Sequence, residues 1–104
     1  MIVSTTDTVP GHEITEVMGV VRGNTVRARN IGRDITQGLR NIVGGELKAY
    51  TTLLTDSRDE AMARMEEDAE QLGADAVVNV RFVTAEVMEG SAELLAYGTA
   101  VKLD

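Results

Sequence analysis

At 104 residues the chain has room for one domain, and its 10 basic and 17 acidic residues leave a net charge of −7. That balance works against a general nucleic-acid or anionic-membrane surface, and no apolar run is long enough to span a bilayer. The absence of cysteine excludes a disulfide framework, a zinc ribbon and a thiol nucleophile, and Met1-Ile2-Val3-Ser4 lacks the basic start and apolar run of a signal peptide, so a cytoplasmic protein is expected.

Ile2 to Thr5 reads as a short strand. Thr8-Val9-Pro10-Gly11 follows as a turn, with Pro10 and Gly11 where a type II turn wants them. A strand is expected from Ile14 to about Val21, with Ile14, Glu16, Met18 and Val20 on one side and Thr15, Val17, Gly19 and Val21 on the other. Gly23-Asn24 reads as an interruption, a turn or bulge, before Thr25 to Arg29 resumes an extended pattern. Asn30 can cap a short helix whose stripe is Ile31, Ile35, Leu39 and Ile42, weakened by Gly32 and Gly38. Gly44-Gly45 ends it and turns the chain sharply.

The next stretch dominates the chain. Leu47, Tyr50, Leu54, Ala61, Met65, Ala69 and Leu72 recur at steps of three, four and seven, which predicts one long helix between Gly45 and Gly73. Glu60 precedes Arg64 by one turn, the favourable order for an ion pair. Three threonines and an Asp-Ser pair between Thr51 and Ser57 mark where a kink or break is expected, near Thr55–Ser57. Gly73 can end the helix in the left-handed conformation. A helix of about 27 residues would be roughly 40 Å long. That is more than a body with a radius of gyration of about 13 Å covers, so a neighbouring copy is expected to cover the overhang. After Gly73 come a valine-rich strand (Val77, Val78, Val80, Phe82, Val83, Val87), a connection at Glu89-Gly90-Ser91, and a last strand from Leu94 to Leu103. In Ala76 to Met88 the alternation puts Ala76, Val78, Val80 and Phe82 on one face. The order of strands, short helix, long helix and strand hairpin predicts an α+β fold with an antiparallel sheet packed on the long helix, one domain over residues 1–104.

Charge is segregated. Residues 17–45 hold five arginines and one acid, whereas 56–70 hold seven acids and two arginines, so contacts between the two regions are expected within or between subunits.

Several segments, in their order and spacing, resemble the YbjQ-like family. They are Ser4-Thr5-Thr6, Gly19-Val20-Val21-Arg22-Gly23, Asn30-Ile31-Gly32-Arg33-Asp34, Asn41-Ile42-Val43-Gly44-Gly45, Tyr50, Leu72-Gly73-Ala74-Asp75-Ala76-Val77-Val78 and Gly98-Thr99-Ala100-Val101. Gly32 departs from the pattern, since relatives often carry a larger apolar residue there. The resemblance implies a dodecin-subunit-like α+β fold assembled as a ring-shaped pentamer. The family's function is unsettled and its customary label names heavy-metal binding.

Candidate sites are few. Heavy metals favour thiolate and imidazole, and the chain offers only His12, with Glu13 and Glu16 nearby, so a metal site would have to gather residues from several copies. Gly38 to Gly45 lacks both phosphate-loop patterns, which leaves Arg33, Arg40 and Tyr50 as candidates for a ligand cleft, or for weak catalysis, at a subunit interface. No nucleophile elbow is present and no acid–base dyad is recognised. The function expected is therefore that of a homo-oligomeric structural or small-ligand-binding protein, not an enzyme, with no bound cofactor, no nucleic acid and no membrane insertion.

Overall fold

Strands and one long helix alternate along the chain in a computed structural model that describes residues 1–27, 48–88 and 91–104. The elements are β1 (Ile2–Val3), β2 (Ile14–Arg27), α1 (Lys48–Gln71), β3 (Ala76–Met88) and β4 (Ser91–Leu103). The short helix expected from Asn30, the double glycine after it, and Glu89-Gly90 lie outside the described residues.

The strands form one sheet in the order β1-β3-β4-β2. β4 lies between β2 and β3 and is antiparallel to both, as expected of a hairpin-built sheet. The sheet is mixed, however, not wholly antiparallel. β1 runs parallel to β3, with Ile2 opposite Ala76 and Val3 opposite Val77, because α1 carries the chain back across the sheet before β3 begins.

One face of the sheet is covered by α1. Ala61, Met65 and Ala69 are fully buried against Val21, Val77, Val80, Ala96 and Ala100, with Met18 and Met62 packed beside them. Ala61, Met65 and Ala69 belong to the stripe the spacing predicts, whereas Leu54 is only half-buried, Leu72 is 46% exposed and Leu47 lies outside the described residues. The helix continues unbroken through Thr51–Ser57. Ser57 is buried, so tertiary burial outweighs the weak local propensity there. At the other end Gly73 takes φ 77, Ala74 N–H donates to the Ala69 carbonyl and Gly73 N–H to that of Glu70, which closes the helix as a Schellman cap.

Three features depart from simple alternation. Gly23-Asn24 is no turn, since β2 continues through both residues. Gly23 lies under the helix, and a Cβ there would stand 2.2 Å from the Ala61 carbonyl oxygen and 2.3 Å from the Met65 nitrogen. The glycine brings backbone against backbone. The irregularity of β2 lies earlier, where pairing shifts between Val17 and Gly19 and Gly19 takes φ 126. This bulge puts Met18 and Val21 into the same core, although their positions read as opposite faces. A second bulge centres on Asn79 (φ 54). It sends Val78 to one face and Val80 to the other.

The outer face, away from α1, is only partly covered. Val9 seals Ala76, Val78 and Val101 at one end, helped by Ile14 and Leu103. Val9 is placed by the expected turn, in which Gly11 has φ 86 and His12 N–H donates to the Val9 carbonyl. Further along, Val17, Val20, Val26 and Val83 stand 68%, 73%, 52% and 44% exposed. The molecule is long and thin, 53 × 28 × 16 Å, with a radius of gyration of 16.8 Å. That exceeds the roughly 13 Å expected of a compact domain of about 100 residues.

One buried group stands out in the helix–sheet seam. Thr25 is 3% exposed and its hydroxyl has no hydrogen-bond partner among the described residues. Thr25→Val keeps the shape and removes a desolvated donor, so it raises stability by about 1 kcal/mol. A higher urea midpoint at unchanged slope is the expected reading, and a lower midpoint would show that the hydroxyl is used.

Candidate functional site

His12, Glu13 and Glu16 come to the end of the sheet where β2 begins and β4 finishes. His12 Nδ1 lies 3.6 Å from Asp104 Oδ1, and the same oxygen accepts a 3.0 Å bond from the Glu13 backbone N–H. Asp104 N–H in turn donates to the Glu13 carbonyl. Next to it Asp75 accepts from the Leu103 N–H at 2.9 Å and lies 3.9 Å from Lys102 Nζ. These contacts tie strand ends together. They do not build a heavy-metal centre within one chain. The sequence offers one imidazole and no thiolate, and among the described residues no three His, Cys, Asp or Glu side chains are grouped to hold an ion. Tyr50 stands in the first turn of α1, while Arg33 and Arg40 lie outside the described residues.

The acidic stretch forms the outer side of α1. Asp56, Asp59, Glu67 and Glu70 are exposed there, and Arg64 bridges Glu60 while its Nη1 donates to the Asn24 carbonyl. Asp68 accepts from the Arg22 backbone N–H at 3.2 Å. The two regions touch at the seam of β2 and α1 through the Arg22 backbone and not its guanidinium, while Arg29, Arg33 and Arg40 lie outside the described residues.

The outer face of the sheet carries a grouping that spacing along the chain hides. Arg22 in β2 is paired with Tyr97 in β4, and Tyr97 is paired on its other side with Arg81 in β3. Directly paired residues share a face, so two guanidinium side chains flank one phenol in a single row across three strands. Val20, Thr99 and Val78 make the next row on one side, and Asn24, Leu95 and Val83 lie on the other. Arg81 Nη1 donates to the carbonyls of Thr5 at 3.0 Å and Val80 at 2.8 Å. Neither arginine has a carboxylate partner for its side chain among the described residues. The sequence holds a weak signal for this row, since Arg22 and Arg81 each interrupt an otherwise apolar strand pattern.

The comparisons bear on the whole chain. A family model described as "Putative heavy-metal-binding", YbjQ_1, matches residues 1–104. The chain belongs to the YbjQ family. Similar curated proteins of this family include a UPF0145 protein of Halobacterium salinarum, 68% identical over 95% of both chains. A UPF0145 protein of Methanoculleus marisnigri is 64% identical over 99% of this chain and 96% of its own. Another, from Vibrio campbellii, is 57% identical over 99% of each. A crystal structure of a protein of unknown function from Pediococcus pentosaceus, assigned to the DUF74 family, superposes with a TM-score of 0.68 at 19% identity, covering 100% of this chain and 98% of the other. That likeness supports the α+β fold of this YbjQ member. Among the described residues no helix is long and apolar enough to cross a membrane.

Proposed function

We propose that the protein is a non-enzymatic homo-oligomer of the cytoplasm, a pentameric ring of dodecin-subunit-like protomers that acts as a structural or small-ligand-binding assembly. The observation that carries this reading is the outer sheet face, where Val17, Val20, Val26 and Val83 stand largely in water. Such a group of apolar side chains marks an interaction surface. The patch lies toward β2, at an edge of the sheet, and the opposite side of the molecule is the acidic face of α1. A surface that differs this much from its reverse favours head-to-tail contacts, which close into rings when the rotation allows. The elongated shape supports the same reading.

Static light scattering at several concentrations tests it. The expected mass is five times the 11.2 kDa chain, falling to a single chain in Val20→Lys, which sets a charge in the apolar patch. A wild-type protein that stays at 11.2 kDa at every concentration sinks the proposal.

A further inference from the structure

The cross-strand row on the outer sheet face has the chemistry of a binding site. Arg22, Tyr97 and Arg81 are consecutive across β2, β4 and β3. Neighbouring strands lie about 4.8 Å apart, so the two arginines start roughly 10 Å from each other with the phenol between them. A guanidinium only donates hydrogen bonds, and a phenol both donates and accepts. Arg81 is anchored through Nη1 to the Thr5 and Val80 carbonyls, on the β1 side of β3 and away from Tyr97, so Arg22 is the guanidinium of this row that is left to meet a ligand. Arg22 is exposed and its side chain has no ion-pair partner among the described residues. Glu93 lies on this face two rows from Tyr97, and its Oε2 accepts from Asn24 Nδ2 at 3.2 Å. Asp68 meets the Arg22 backbone, not its guanidinium. The Arg22–Tyr97 pair therefore offers donors beside an apolar floor of Val78 and Leu95.

We propose that this row binds a small oxyanion, a phosphate or carboxylate, carried on a flat apolar body. The Arg22 guanidinium would take the oxyanion, for which its planar donor edge is suited, and the Tyr97 ring with Leu95 and Val78 beside it would take the body. The net charge of −7 repels a long polyanion, whereas a ligand with one anionic group meets the local cations without meeting the acidic helix on the far side. The inference gives a ligand class to the small-ligand-binding part of the proposed function and rests on that reading. Val20 and Val26 bracket Arg22 along β2, so in a ring that covers these valines the site lies at the subunit border, with Arg22 facing the neighbouring copy.

Titration calorimetry with phenyl phosphate on the full chain decides the matter, with inorganic phosphate and phenol as comparisons. Saturable binding of phenyl phosphate is expected with Kd on the order of 1 mM or tighter. Arg22→Gln weakens it at least tenfold, and Tyr97→Leu removes the preference for phenyl phosphate over inorganic phosphate. Both side chains lie at the surface, and thermal unfolding of each variant checks that it folds. Failure to saturate, or an affinity that Arg22→Gln leaves unchanged, overturns the site. Light scattering on the same samples separates the two readings. A ring that does not bind defeats the ligand assignment alone, and a monomer that binds defeats the ring alone.

Discussion

Gly23→Ala costs the protein about 3 kcal/mol or more, an unusually large effect for adding one methyl group. The new Cβ would lie 2.2 Å from the Ala61 oxygen, 2.3 Å from the Met65 nitrogen and 2.7 Å from the Arg64 Cβ. The first two are backbone atoms of α1, so no side chain can rotate away and the helix itself must lift. Lifting it would open the contacts of Ala61, Met65 and Ala69, all fully buried on the sheet. Gly23 is not among the glycines with positive φ, so alanine suits its backbone and the penalty is steric. Gly11→Ala is the control. Its position has open space around it but φ 86, so it loses only about 1 kcal/mol through backbone strain. Thermal melts at one fixed chain concentration should place Gly23→Ala roughly 12–24 °C below wild type. A drop no larger than that of Gly11→Ala would show that the helix does not rest on β2 as described.

Met65→Ala is expected to cost about 2–5 kcal/mol, the range for emptying a well-packed core site. Among the described residues Met65 is the largest fully buried side chain, and its cluster includes the small Ala61, Ala69, Ala96 and Ala100. None of these alanines can extend to fill the space, so the cavity persists. Met62, three residues earlier on the helix and only half-buried, should lose much less when cut to alanine. Urea denaturation at fixed chain concentration gives the comparison through the midpoints. Equal losses at Met62 and Met65 would contradict the packing order.

Much of the fold is readable from the residues. The three-and-four spacing of Ala61, Met65 and Ala69 marks the buried side of α1, and Gly73 and Pro10-Gly11 mark a cap and a turn that both form. These signals are local, so one chain segment suffices to carry them. The bulges are harder. A bulge at Gly19 changes which residues face the core without changing composition, and Met18 and Val21 then share a side that strict alternation denies them. Asn79, set within a run of valines, is the one cue to the second bulge, because asparagine tolerates positive φ better than its neighbours. Gly23 reads as a break because glycine more often marks one, whereas here its missing side chain serves a contact with a helix some 40 residues later. The parallel pairing of β1 rests on two residues and has no pattern of its own.

The candidate site is less legible for a related reason. Arg22, Arg81 and Tyr97 meet only after three strands have paired in one register, and no spacing along the chain specifies that register. His12, Glu13 and Glu16, close in sequence, drew attention to metal chemistry, yet the backbone groups around His12 and Asp104 use that corner to join strand ends.

The irregular pairing at the start of β2 also bears on how copies can meet. A straight valine-bearing border would let one chain after another dock by extending the ladder, with nothing to stop the stack from becoming a fibril. The shifts between Ile14 and Glu16 and between Val17 and Gly19 bend that border, so its hydrogen-bonding groups fall out of step with those of an identical neighbour. A lesion that straightened it would let identical copies stack edge to edge into filaments.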